Sequence, residues 1–327
     1  MKSKYLIIAT AATLLAACSN DENEVNNGPV EARITAGIDG PKTRAVDDSW
    51  SVGNTIGVMV TNAPTSTMDD IYKNVKYTVG SAGTTGTFTA EPGQGIFFQD
   101  ASETVTFAAY SPYQSSDDAA TLPGTDGTVT GGDTKDQSTV EKQEAFDYLF
   151  ASGATASRSS ATVEFKKTDN THDYQFKHKM SRLILVLNTS ATDGFTADQV
   201  FNAVYKLGGL KHEGTFKVTD GTAAVSPSAS AVSDWTITDN VKKDDKSANT
   251  RTYTMILYPQ TLLSPLTFSA TIDGQTYVNK SDIQPTLAAG TSYTYTITMK
   301  KTGLTVSGCT IEGWTNDSGG NGNAEME

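Results

Sequence analysis

Between Val30 and Ile38 every second residue is apolar. Val30, Ala32, Ile34, Ala36 and Ile38 share one face, and Glu31, Arg33, Thr35, Gly37 and Asp39 share the other. A period of two with one apolar face predicts a half-buried β-strand rather than a helix. Gly40-Pro41 ends the run, and Lys42 to Asp48 reads as an exposed loop. Short runs of the same kind return down the chain at Trp50 to Thr61, Ile71 to Val79, Thr87 to Ala90, Gly95 to Phe98 and Thr104 to Tyr110. Gly80, Gly83, Gly86, Pro92-Gly93 and Ser111-Pro112 separate them. Short strands at close spacing, in a chain rich in Thr, Ser, Gly, Val and Tyr, predict an all-β sandwich or barrel.

With 327 residues the chain is long enough for two domains. Gln114 to Lys142 is poor in apolar residues and reads as a long surface insertion. Phe146 to Ala151 and Ala161 to Phe165 return to strand, and the polar stretch Lys166 to Asp173 marks a boundary. Beyond it, Leu183 to Leu187 is apolar on both faces, as in a central strand. Thr196 to Leu207 fits either period. Gly208-Gly209 followed by Gly214-Thr215-Phe216 favours a strand in a hairpin. Polar linkage to Asp245 precedes strands at Thr252 to Tyr258, Leu266 to Ile272, Gln275 to Val278 and Tyr293 to Met299, with Asp273-Gly274 as a turn. The expected units are 1–17, 18–44, 45–168 and 169–327.

The first of these units is a processing signal. Lys2 and Lys4 precede the apolar run Tyr5 to Ala17, too short to span a bilayer. Leu15-Ala16-Ala17-Cys18 resembles a bacterial lipobox, which makes Cys18 the expected lipidation site and a lipid anchor in the outer membrane the expected attachment. The acidic run Ser19 to Glu24 reads as a tether and resembles a signal for export to the outer cell face. Cys309 is then the one remaining cysteine, so the folded body relies on packed sheets rather than a disulfide. A formal charge of −12 disfavours nucleic acid and anionic membranes.

Nothing in the sequence forms a catalytic constellation. His172, His178 and His212 do not pair at metal-ligand spacing, and His178 reads as structural between Phe176 and Met180. No nucleophile elbow, phosphate loop or dinucleotide fingerprint is present. Asp117-Asp118 and Asp133 to Asp136 lack a calcium-loop pattern. The reading is of a protein that is no enzyme and needs no cofactor and no metal.

Several stretches in order resemble the fimbrillin family of Mfa-like and FimA-like pilus proteins. They are Thr43-Arg44-Ala45, Trp50 to Val58, Phe107 to Tyr113, Phe176 to Leu183, Tyr258 to Thr261, Leu287 to Tyr295 and Cys309 to Trp314. The resemblance implies two tandem transthyretin-like β-sandwich domains after a lipoprotein signal peptide. It also implies trimming by an arginine-specific protease and assembly with other fimbrial subunits, possibly itself, by donated strands.

On that reading Arg44, in the polar loop, is the cleavage site and Ala45 the new N-terminus. Arg33 is protected inside the first strand. Cleavage frees Val30, Ala32, Ile34, Ala36 and Ile38 to leave together. The candidate donor strand is Leu304 to Trp314, with Leu304 and Val306 in phase and a shift at Gly308 to Cys309 and Ile311 that predicts a bulge. If that segment belongs permanently to the second domain, the chain suits a tip or anchor position better than a stalk. The rival reading is a monomeric surface lipoprotein that binds carbohydrate or another host surface ligand.

Overall fold

The computed structural model describes residues 28–39 and 49–314. The described chain is nearly all β, in several sheets. The first half builds an eight-stranded sheet in the order Thr162–Phe165, Arg33–Gly37, Thr85–Thr89, Val75–Val79, Thr55–Asn62, Thr104–Ser111, Leu149–Ser157, Lys177–His178. The first strand is therefore interior. It runs parallel to Thr162–Phe165 and antiparallel to Thr85–Thr89, while Val30–Glu31 ahead of it pairs with Phe97–Phe98.

The alternation read from the sequence is present. Ala32, Ile34, Ala36 and Ile38 are buried, whereas Glu31 and Arg33 face solvent. Val30 is half-buried at the entry, and Gly37, on the other face, is buried as well. The core beneath contains Val58, Phe88, Phe107, Val163, Phe165 and Phe176. Trp50 sets its edge against Phe88 at 4.9 Å and Phe176 at 5.1 Å.

The second half has a five-stranded sheet, Lys242–Asp245, Thr250–Leu257, Ser181–Thr189, Thr291–Lys300, Gly303–Gly313. A four-stranded sheet, Trp235–Thr236, Val204–Gly208, Thr267–Ile272, Gln275–Asn279, covers it. Ser181–Thr189 is central, as its two apolar faces require. Asp273 and Gly274 both have positive φ, the backbone of a tight hairpin turn joining Ile272 to Gln275.

Four expectations are overturned. Thr196 to Leu207 is not one strand. Ala197–Asn202 is a helix and Val204–Gly208 a strand. Thr196 and Gln199 form a reciprocal capping box that satisfies two orphan N–H groups, and this local signal outweighs the strand phase. Nor does Val204–Gly208 form a hairpin with Gly214–Lys217. It pairs with Thr267–Ile272 and Trp235–Thr236, while Gly214–Lys217 pairs with Thr222–Val225 and Thr128–Thr130. The polar stretch before Asp245 holds a further strand, Lys242–Asp245, whose charged residues occupy a sheet edge.

Gln114 to Lys142 is likewise not a free surface insertion. Its Thr128–Thr130 strand adds to Gly214–Lys217 in the second half. Gln137 is fully buried and acts as a surrogate strand residue. Its Nε2 donates to the Ile256 carbonyl at 2.7 Å, and its Oε1 accepts from the Ile256 N–H at 2.9 Å. Gln143 Nε2 donates to the Thr254 carbonyl at 2.6 Å. A third apolar cluster fills the seam, with Tyr148 stacked on Phe216 at 4.5 Å and Tyr110, Phe150, Met180, Ile256, Tyr258 and Trp314 around them.

Candidate functional site

The first strand lies in an apolar groove. Ile34 is opposite Phe88 on one neighbour and Val163 on the other. Ala36 sits opposite Gly86, where an added Cβ would meet the Trp50 ring at 3.0 Å, so that register requires glycine. Trp50 Nε1 donates to the Ala36 carbonyl at 2.9 Å and thereby grips the strand backbone directly. Ala32 N–H donates to Ile96, Arg33 N–H to Ala161 and Asp39 N–H to Phe176, each at 2.8 Å. Arg158 Nη2 donates to the Gly28 carbonyl at 2.7 Å and ties down the entry.

The strand thus satisfies both neighbours and covers the groove floor. Burying Val30, Ile34 and Ile38 is worth roughly 1.5–3 kcal/mol for each fully covered side chain, less for the half-buried Val30. Vacating it would expose that apolar floor together with two unpaired strand edges, the arrangement that captures an extended peptide. Where the chain leaves the groove, a cleft of about 230 Å³ is lined by Ile38, Trp50, Asn54, Pro112, Glu144 and His178. Burial, reinforced by the Glu141 carboxylate, raises the Glu144 carboxyl above its ordinary range. Cys18, Arg44 and Ala45 lie outside the described residues.

The candidate donor residues Leu304, Val306, Cys309 and Ile311 all lie on the edge strand Gly303–Gly313, which pairs antiparallel with Thr291–Lys300. Tyr295 faces Cys309 and Thr296 faces Ser307, so Gly308 is the extra residue, at a φ of 31° that favours glycine. Leu304, Val306 and Cys309 are half-buried against the second core and Ile311 is exposed. Burial pushes the Cys309 thiol up, away from reactive thiolate chemistry.

The strand ends in a plug. Trp314 is fully buried between the His178 ring, stacked at 3.9 Å, and the Arg182 guanidinium at 4.7 Å. Its backbone N–H donates to the Gly290 carbonyl, and the Gly290 N–H donates to the Met180 carbonyl. Sequence reasoning missed this role. The available signal was a lone Trp directly before a polar tail.

The three histidines stand apart, each with its own partner. His172 Nδ1 lies 2.8 Å from Asp169, His178 Nδ1 lies 2.8 Å from Asp147, and His212 Nδ1 lies 3.0 Å from Thr134 Oγ1. Among the acidic loop residues, Asp118 accepts from Ala120 N–H and Thr121 Oγ1, and Asp136 pairs with Lys142. Among the described residues no group of three His, Cys, Asp or Glu is placed to hold a metal ion.

Residues 43–314 match the fimbrillin-like family. A proposed fimbrium subunit, Fim1C of Bacteroides uniformis, is 31% identical over 99% of this chain and 100% of its own length. The chain belongs to the fimbrillin-like family. A crystal structure of a proposed cell adhesion protein from Bacteroides ovatus superposes with a TM-score of 0.71 at 26% identity, over 89% of this chain and 100% of the other. Another from Bacteroides uniformis gives 0.65 at 24% identity, over 89% and 99%, and shares the fold.

Proposed function

We propose that the chain is a cell-surface fimbrial subunit that is exported as an outer-membrane lipoprotein and accepts a strand from another subunit after its own first strand is released. The observation that carries this is the place of Arg33–Gly37, an interior strand whose connection to the rest of its sheet runs through residues 40–48, where Arg44 lies. One cut there leaves the strand held by hydrogen bonds and packing alone. Family membership supports association with other fimbrial subunits.

The edge strand Gly303–Gly313 is retained in this reading. Donating it would require drawing Trp314 from between His178 and Arg182, so the chain suits a terminal position, at tip or anchor, better than a stalk. The rival reading, a monomeric ligand-binding lipoprotein, has less behind it, because Gln114 to Lys142 carries no aromatic residue and is occupied in joining the halves.

Mass spectrometry of two fractions tests the proposal. The membrane fraction is expected to hold a chain lipidated at Cys18, and assembled material a chain that starts at Ala45. Assembled protein that keeps Cys18 joined to Arg44 would overturn strand release, and equal fatty-acid labelling of Cys18→Ala would overturn the anchor.

A further inference from the structure

The two ends of the second half's sheets are protected in opposite ways. At one end lies Lys242–Asp245, exposed at all four residues and every one of them charged. Charged side chains along an edge hold water there and blunt its pairing with another strand. At the other end, Gln275–Asn279 and Gly303–Gly313 lie side by side as the last strands of their sheets. Gln275 to Asn279 has no charged residue, and neither does Gly303 to Ile311. There is no proline in either. The inward face of the longer strand is incompletely covered, with Leu304, Val306 and Cys309 half-buried and Ile311 42% exposed. Among the described residues nothing pairs with its outer edge.

We propose that this bare flank is an interface on which a second copy of the chain docks, edge to edge, through the same strand. The argument for that occupant is length and charge. An uncharged run of nine residues, Gly303 to Ile311, is best matched by an uncharged run of the same length. Among the described edge strands only Gly303–Gly313 itself supplies such a run. In a chain of net charge −12 two copies repel on average, and this strip brings no charge of its own to their contact. Antiparallel pairing about a twofold axis is self-complementary and sets Leu304, Val306, Cys309 and Ile311 of both copies on one face, where each set covers the other. The nine-residue strip is roughly 30 Å long at the usual rise per residue. This interface rests on the reading that Gly303–Gly313 stays in place, but needs neither cleavage at Arg44 nor departure of the first strand.

The test is sedimentation velocity of the uncleaved secreted chain carrying Cys18→Ser, across about 1–200 μM in 0.15 M salt, where the Debye length is about 8 Å and bulk repulsion is screened. A concentration-dependent dimer is expected. Thr305→Lys with Thr310→Lys, both outward and exposed on the strand, should weaken it at least tenfold with unchanged circular dichroism and melting temperature. As a second readout, Ser307→Cys in a Cys309→Ser background should give interchain disulfide dimers on mild oxidation. A monomer at every concentration, or lysine variants that dimerise as tightly as the wild type, overturns the proposal. So does a chain ending at Trp314 that dimerises when the full chain does not, since the chain's own tail would then be the occupant. Cleavage and strand release could fail without affecting any of these outcomes.

Discussion

Trp314→Ala is expected to destabilise the chain by about 3–5 kcal/mol, the range for emptying a large buried aromatic site. Trp314 contacts the second half through Arg182 and Gly290 and the seam through His178, so little can collapse into the space it leaves. Urea unfolding measures the loss. Hydrogen exchange should accelerate along Gly303–Gly313, whose last turn of ladder Trp314 pins. Trp314→Phe should cost much less, because the indole Nε1 has no hydrogen-bond partner among the described residues and no bond is lost with it. A cost below about 1 kcal/mol for the alanine variant would mean that the plug does not hold the strand.

Acid should open the seam at His212. The ring is 2% exposed, its Nδ1 meets Thr134 Oγ1, its Nε2 is unpartnered, and Trp235 stands edge-on at 4.6 Å. Burial pushes its pKa down from 6.5 to about 4, with Asp133 opposing and Lys135 adding to the shift. Those two charges are themselves paired at 3.0 Å. A histidine whose folded pKa is lowered binds its proton more tightly when unfolded. Its contribution is therefore full above pH 6.5 and declines as pH falls from 6.5 to about 4, by about 3 kcal/mol in all. Denaturant midpoints across pH 4–7.5 check this. His212→Gln should flatten that limb of the profile, and an unchanged slope in the variant would assign the acid loss to other groups.

What the sequence reveals here is periodic and local. The first strand is legible because Val30 to Ile38 alternates without a break, and its burial follows from that. The bulge at Gly308 shows as a shift of phase between Val306 and Cys309. The central strand Ser181–Thr189 shows in its two apolar faces. What escapes is carried by single polar or aromatic residues acting at long range. Gln137 looks like any loop glutamine until Ile256 is placed beside it, 119 residues away. Thr128–Thr130 is too short to stand out, although Gly127 and Gly131 bracket its alternation. The strand reading of Thr196 to Leu207 fails because Val200, Ala203, Val204 and Leu207 serve a helix and a strand in succession. The groove itself was legible in sequence only as a strand to be removed. Its floor of Trp50, Phe88, Val163 and Phe176 comes from four distant segments.

The central claim is that the first strand must leave before another subunit can enter. Thr35 and Thr87 are directly opposite each other across the antiparallel pair, half-buried and exposed respectively, off the core face. Paired cysteines at Thr35→Cys and Thr87→Cys are within reach of a disulfide across that pair. The doubly substituted chain, cut after Arg44 and oxidised, should keep its first strand and fail to join filaments, and a reductant should restore incorporation to the wild-type level. Incorporation that is equal in the oxidised and reduced states would contradict the account, because assembly would then proceed with the groove still filled.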